Sequence, residues 1–360
     1  MTTLVFPGGM PDSLTYLRQA KADGQLVMGA SSLTEDPAKG FYPDWAFLPF
    51  VTDESFETTF LKLVKEKSIK HVFTRHPIIR RYIRTIIEKH SLTLSLNESA
   101  FALATMHANV MLMERVRKLR KKGFSWNVPN GSAALSELEM AAVLHHASHI
   151  EGQSDEDKIH ALMEAFRTCP QGDVVEIGSF WGRSGFVLSW LARKYEVGSL
   201  LCVDPWTNEN AHQEGVSEFV NDEAREIDFT RTFEGFLLNL IPYDVHHINY
   251  IKAPSHEGRA SYQTQPFTLE SEPFGKTQYQ GKIAFLHIDG NHDLQHITED
   301  IADWCPLVVP GGWIVIDDYE WSFGDGPKRA ADRWLAENKS RIRLHFVTGS
   351  ALFVKFNDEA

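Results

Sequence analysis

The sequence predicts an α/β protein in two parts. A smaller N-terminal α/β domain is expected over 1–130. A larger domain is expected over 131–360, built on an open, mostly parallel sheet of seven strands whose last pair is antiparallel. Three observations predict this. Short apolar runs alternate with amphipathic stretches along most of the chain, the rhythm of β–α–β units. Several of these runs end in glycine or aspartate, where a strand gives way to a loop. Only Thr348 and the turn Gly349-Ser350 separate the final runs RLHFV and ALFVKF, and so short a link makes the two strands antiparallel.

In the first part, Leu4-Val5-Phe6 reads as a strand ending in the turn Pro7-Gly8-Gly9. A helix over 12–22, a strand over 25–30 and a short third strand over 47–51 follow. The pattern then predicts a helix over 54–67, a strand over 70–73 and a helix over 77–89. A long helix over 97–122 is stopped by Gly123 and Pro129. The stretch Leu4 to Ala30, with Leu48 to Asp53, resembles the small domain that precedes the ATP-binding part of ATP-grasp enzymes. That likeness covers about the first 95 residues. The catalytic ATP-grasp region that would follow is absent, and the Pro7-Gly8-Gly9 turn has neither GxGxxG nor a P-loop lysine. A structural or partner-docking role is therefore expected here rather than ATP binding.

The 360 residues carry a formal net charge of -12 and a pI near 5.7. Non-specific nucleic-acid binding needs a basic footprint, so it is not expected. Cys169, Cys202 and Cys305 have no CxxC spacing, which argues against a zinc site or a disulfide framework. No signal-like or membrane-spanning run is evident, so a cytoplasmic protein without membrane insertion is expected. Between 124 and 170 the chain reads as helical, with polar breaks at Asn130-Gly131-Ser132 and at 151–155. His145, His146 and His149 share helical spacing there, and a solvated helix face accounts for them better than a metal site.

The chemistry-bearing motifs lie further on. Asp173 to Gly178 is a strand ending on glycine; SFWGRSG follows over 179–185 and opens a helix to about Lys194. Glycines in such a turn let the backbone approach a ligand, and the helix start adds N–H donors. The pattern is E-x-G-x-x-x-G rather than a phosphate-binding GxGxxG. An acidic Glu176 facing the ligand suits a cationic, phosphate-free cofactor, and S-adenosylmethionine is one. Gly178, Ser179, Gly182, Arg183 and Ser184 join Glu176 in the expected cofactor set. Asp204 ends the next strand, 26 residues after Gly178, where a carboxylate can accept both ribose hydroxyls. Further strands are expected over 245–251, 282–288 and 307–316. Ser255, heading the helix after the first of these, and Asp289 complete the set.

Asp289, Asp317 and Asp318 all fall at carboxyl ends of strands, beside the cofactor crevice. Three carboxylates converging with no lysine or arginine between them would repel one another. A hard cation such as Mg²⁺ or Mn²⁺ removes the repulsion and prefers oxygen ligands. His292, three residues after Asp289, is the candidate general base, with Asp293 and His287 as competitors. The segments over 207–243 and 263–281 lie outside the core pattern, where lids and substrate walls form. Trp206, His212, Tyr262 and Trp321 are candidates for packing on a sugar ring.

Taken together, DVVEIGSxxGRS, CVDPW, HIDGNH and VPGGWIVIDDY resemble the macrocin O-methyltransferase group, over about 170–356. That resemblance implies a Rossmann-like class I methyltransferase fold, methyl transfer from S-adenosylmethionine to a sugar, glycan or natural-product hydroxyl, and metal ligation by Asp289, Asp317 and Asp318. In the more distant catechol O-methyltransferases a general base stands three positions after the first ligand, the place of His292. Asn291 departs from the aspartate often found there. The expected partner is a small-molecule or glycan substrate, with a homo-oligomer left open. Two rivals stand beside this reading: a non-catalytic cofactor-binding scaffold, and an ATP-dependent ligase resting on the N-terminal likeness alone.

Overall fold

The structure, a computed structural model, describes residues 2–97, 101–124, 131–244 and 246–359, without the side chains of 101–104. The chain forms two compact units, Met1–Met111 and Leu112–Ala360. The division falls inside the helix Phe101–Lys122, short of the polar break near 130 that the sequence suggests. Its physical reason is burial: Leu112, Val116 and Leu119 on the last turns of that helix belong to the core of the second unit. Pro129 and Asn130, part of the expected boundary, lie outside the described residues.

The first unit is a five-stranded parallel sheet. Its strands are β1 (Thr2–Val5), β2 (Leu26–Ser31), β3 (Trp45–Phe47), β4 (Ile69–Phe73) and β5 (Ser95–Leu96), in the order β3-β2-β1-β4-β5. Alternation along β1 sends Leu4 to one face, with Phe56, Phe60 and Ile83, and Val5 to the other, with Leu17 and Tyr42. The helix Pro77–Lys89 buries Ile79, Ile83 and Ile86, three positions on one helical face.

The second unit carries β6 (Asp173–Ile177), β7 (Leu200–Val203) and β8 (Ile248–Ile251). A hairpin of β9 (Phe267–Ser271) and β10 (Gly275–Tyr279) follows. Then come β11 (Ile283–Ile288), β12 (Val308–Ile316), β13 (Ile342–Thr348) and β14 (Ala351–Phe356). The main sheet has seven strands in the order β13-β14-β12-β11-β6-β7-β8. Five strands are parallel neighbours, and β14 runs antiparallel to both β12 and β13. The expected seven-stranded sheet is thus present. Val245, the expected start of the third strand, lies outside the described residues.

The central strands are buried on both faces, as parallel strands covered by helices must be. Val174, Leu200, Phe285 and Trp313 pack with the helices Glu156–Phe166 and Arg183–Lys194. Val175, Leu201, Leu286 and Ile314 pack with Leu294–Trp304 and Gly326–Glu337 on the other face. Strand order reverses on either side of β6, so its carboxyl end opens a crevice between neighbours that diverge. The segment over 207–243 folds into helices Asn208–Ala211, Glu218–Glu226 and Phe229–Leu240. The Gln- and Pro-rich stretch over 263–281 holds the β9–β10 hairpin, which the sequence pattern does not signal.

Candidate active site

A staggered row of backbone hydrogen bonds sets the site. Asp204 N donates to Ile251 O (3.2 Å), Gly178 N to Val203 O (2.9 Å), Asp289 N to Ile177 O (2.8 Å) and Asp317 N to Ile288 O (2.9 Å). Each residue is the first beyond its strand, tied to the last residue of the neighbouring one. Asp204, Gly178, Asp289 and Asp317 therefore stand side by side along the carboxyl edge of β7, β6, β11 and β12. Gly178 is required at this edge. Its φ is +80°, and a Cβ there would lie 2.1 Å from Asp289 O.

The glycine turn is held from below. Asp204 Oδ2 accepts from Ser179 N (2.8 Å) and Phe180 N (3.0 Å), and Oδ1 from Trp206 N (2.7 Å). Asp204 thus braces the turn through two backbone donors and its own loop through a third. Glu176 is fully buried rather than presented to the crevice. It accepts from Ser179 Oγ (2.7 Å) and lies 3.1 Å from His287 Nδ1. Gly182 caps the helix Arg183–Lys194 at φ 86°, with Ser184 buried in its first turn. Arg183 turns away, donating to Ile150 O (2.7 Å) and Ser154 O (3.3 Å). Ser255 accepts from Trp304 Nε1 (2.9 Å) at the head of its own helix.

The carboxylates do converge. Asp289, Asp317 and Asp318 are 25%, 12% and 23% exposed, and Asp289 can share a cation with either of the other two. Asp318 takes a left-handed φ of 51°, which aspartate tolerates, and its N–H donates to Asp317 Oδ1 (3.1 Å). Two overlapping groups have metal-ligand spacing: His287 with Asp289 and Asp317, and Asp289 with His292 and Asp318.

The cluster is not free of cations, contrary to the sequence expectation. Lys158, only 1% exposed, pairs with Asp317 Oδ2 and lies 3.5 Å from Asp289 Oδ2. It comes from the helix Glu156–Phe166, far upstream in sequence, where no motif marks it. A signal does exist: a lysine in the first helical turn, where acidic residues are favoured.

His292 Nε2 stands 2.9 Å from Asp318 Oδ2 and 3.9 Å from Asp289 Oδ1. Burial would lower its pKa, but Asp289 and Asp318 outweigh burial and push it up to about 9. Burial would raise the Asp289 carboxyl; Lys158, His292 and His287 outweigh that and hold it below its ordinary value. Gln213 braces His292 from behind, its Oε1 lying 3.2 Å from the ring Nδ1. Asn291 Nδ2 donates to His212 O (2.8 Å). The insertion over 207–243 therefore clamps the Asp289–His292 loop. Asp293 is the N-cap of the helix Leu294–Trp304, accepting from His296 N (2.9 Å), so its carboxylate is committed to the helix start.

Among the aromatic candidates, Trp206 and Tyr262 are each 2% exposed and belong to the core. The Tyr262 hydroxyl donates to Asp173. Trp321 does face the site, its ring 4.8 Å from that of His292, and His212 is exposed. His145 and His146 lie exposed on the helix Glu137–Ala147, His149 lies exposed just beyond its end, and all three cysteines are free thiols.

Residues 175–319 match a family described as a methyltransferase domain. Those residues run from within β6 through β12 and include every residue of the carboxyl-edge row. The match covers less than half of the chain and agrees with the methyltransferase that the motif resemblance implies. Solved structures similar to the chain include the O-methyltransferase NovP, at 17% identity over 56% of this chain and 79% of that one (TM-score 0.40). Another is apo CalS11, a TDP-rhamnose 3'-O-methyltransferase of calicheamicin biosynthesis, at 16% over 68% and 93% (TM-score 0.35). A third is MycE of the mycinamycin pathway, in complex with Mg, SAH and mycinamycin VI, at 16% over 52% and 46% (TM-score 0.30). No curated protein sequence matches the chain. Among the described residues, no helix is long and apolar enough to cross a membrane.

Proposed function

We propose that the second unit transfers a methyl group from S-adenosylmethionine to a hydroxyl of a sugar, glycan or natural-product acceptor, assisted by a divalent cation. The observation that carries this reading is the row Gly178–Asp289–Asp317, which sets a glycine turn for the cofactor directly beside a carboxylate cluster. Mg²⁺ or Mn²⁺ fits the donors: Asp289 and Asp317 with His287, whose buried Nε2 has no hydrogen-bond partner among the described residues, and Asp289 and Asp318 with His292. Bound there, the cation supplies Lewis-acid charge that lowers the pKa of the acceptor hydroxyl, and S-adenosylmethionine supplies the methyl group.

This chain's residues do the rest. Asp204 holds the turn in shape, and Gly178 lets the cofactor's crevice abut the Asp289 backbone. His292, steadied by Gln213, accepts the hydroxyl proton at Nε2 once Asp289 and Asp318 no longer hold that nitrogen protonated. An open cavity of about 630 Å³ within the insertion is lined by Asn208, Glu209, His212, Arg225 and Asp228, with Ala224 and Ile227 as apolar wall. Such hydrogen-bonding walls suit a polyhydroxylated acceptor. Most of the rate comes from positioning and electrostatics.

The test is a methyl-transfer assay over a panel of nucleotide sugars and glycosides, with and without Mg²⁺. Activity is expected to be chelator-sensitive, and Asp317→Ala should lower it at least a hundredfold. Full activity in Asp317→Ala, or in excess chelator, would overturn the metal-assisted mechanism.

A further inference from the structure

Lys158 sits where two physical costs meet. It is the third residue of the helix Glu156–Phe166, within hydrogen-bond distance of the N-cap (Lys158 N to Asp155 Oδ1, 2.7 Å). A cation there opposes the helix dipole. Its ammonium is also taken out of water almost completely, which costs several kcal/mol unless it is paired. The pairing it finds is the carboxylate cluster itself. Asp317 Oδ2 accepts its ion pair, and Asp289 Oδ2 lies 3.5 Å away.

A third acceptor faces the same place. His287 Nε2 lies 3.9 Å from Asp289 Oδ2 and 3.8 Å from Asp317 Oδ2. Its other nitrogen, Nδ1, is 3.1 Å from Glu176 Oε1, an arrangement that places the proton on Nδ1 and a lone pair on Nε2. Nε2 is buried with no hydrogen-bond partner among the described residues. Two carboxylate oxygens and one imidazole lone pair therefore meet around a position suited to a cation, and Lys158 is the cation the protein itself supplies.

We propose that Lys158 is a resident monocation that competes with divalent metal for Asp289 and Asp317, weakening metal binding to the cluster. The proposal rests on the metal-assisted reading above. The three aspartates carry three negative charges, and Lys158 removes one of them. In a poorly solvated site this difference changes divalent-ion attraction strongly. The ammonium also occupies coordination space on Asp317 Oδ2, so metal must displace it or bind with one oxygen fewer.

The experiment is Mn²⁺ titration of the full chain, without cofactor or acceptor, following free Mn²⁺ by its paramagnetic resonance signal. Wild type is compared with Lys158→Met, Lys158→Gln and Lys158→Arg. Met and Gln should bind Mn²⁺ more than tenfold tighter than wild type, and Arg should not. A lysine serving only as a packing element would give weaker binding on removal. Equal or weaker binding by both neutral variants overturns the proposal and leaves the metal-assisted reading standing. Tight binding by the neutral variants alone supports the proposal and argues against metal use by the wild type. Absence of binding in every protein overturns both. Should the neutral variants melt early, thermal unfolding with saturating Mn²⁺ decides: rescue supports the inference, and failure to rescue overturns it.

Discussion

At the scale of single residues, His292 links structure to a measurable pH response. Its raised pKa means that a proton sits on the candidate base at neutral pH while Asp289 and Asp318 keep their full charge. The base works only when deprotonated. Methyl transfer at limiting metal should therefore rise with pH, up to tenfold per unit, and level off near pH 9. Saturating metal should move that limb to lower pH, and His292→Gln should abolish it. The same shift carries a stability consequence with a definite sign. A pKa raised from its ordinary 6.5 to about 9 stabilises the folded state fully below 6.5, and that contribution disappears as pH rises through about 9. Thermal melts of metal-free protein over that interval should fall for wild type and stay flatter for His292→Gln. His292 was legible in the sequence because it shares a short motif with Asp289. Lys158 was not, because its partner Asp317 lies in a distant part of the chain and only the fold brings them together.

At the scale of elements, the hidden joint between the hairpin and the main sheet is Asp173. It is fully buried at the start of β6 and accepts from Gln280 N (2.8 Å), Gly281 N (2.8 Å) and the Tyr262 hydroxyl (2.7 Å). Burial raises its pKa, partly offset by those donors. Asp173→Ala would leave three donors without their acceptor, at about 1–3 kcal/mol for each one buried. A loss of about 3 kcal/mol or more in denaturant unfolding is expected, against a smaller loss for Asp173→Asn. The strands of the main sheet were legible because continuous apolar runs ending in Gly or Asp leave few alternatives. The β9–β10 hairpin was not. Its exposed residues alternate with half-buried or buried ones over only five positions in each strand, and Pro273 falls in the connection. Trp206 and Tyr262 show the same limit: composition marks an aromatic ring, but burial against Phe233 and Phe236, or hydrogen bonding to Asp173, depends on elements remote in sequence.

At the scale of the whole molecule, each unit has hydrophobic clusters of its own, and the row of site residues lies entirely in the second. A chain beginning at residue 101 keeps Leu112, Val116 and Leu119, which complete that unit's core. It should unfold cooperatively and retain the wild-type affinity for S-adenosylmethionine within about threefold, as read by calorimetry. A chain beginning at residue 131 removes those three side chains and should lose several kcal/mol of stability. The N-terminal sheet was legible from its β–α rhythm, whereas the division point was not, because one continuous helix crosses it.

The contact between Gly178 and Asp289 bears on how such a catalyst can diversify. A side chain at 178 would strike the main chain of Asp289, so the proposed cofactor turn and the cluster constitute one inseparable cassette. Mutational drift or laboratory evolution towards new acceptors has little room to act there. The helices over 208–240 and the hairpin over 267–279 are the places where libraries should be built, with the cassette left untouched.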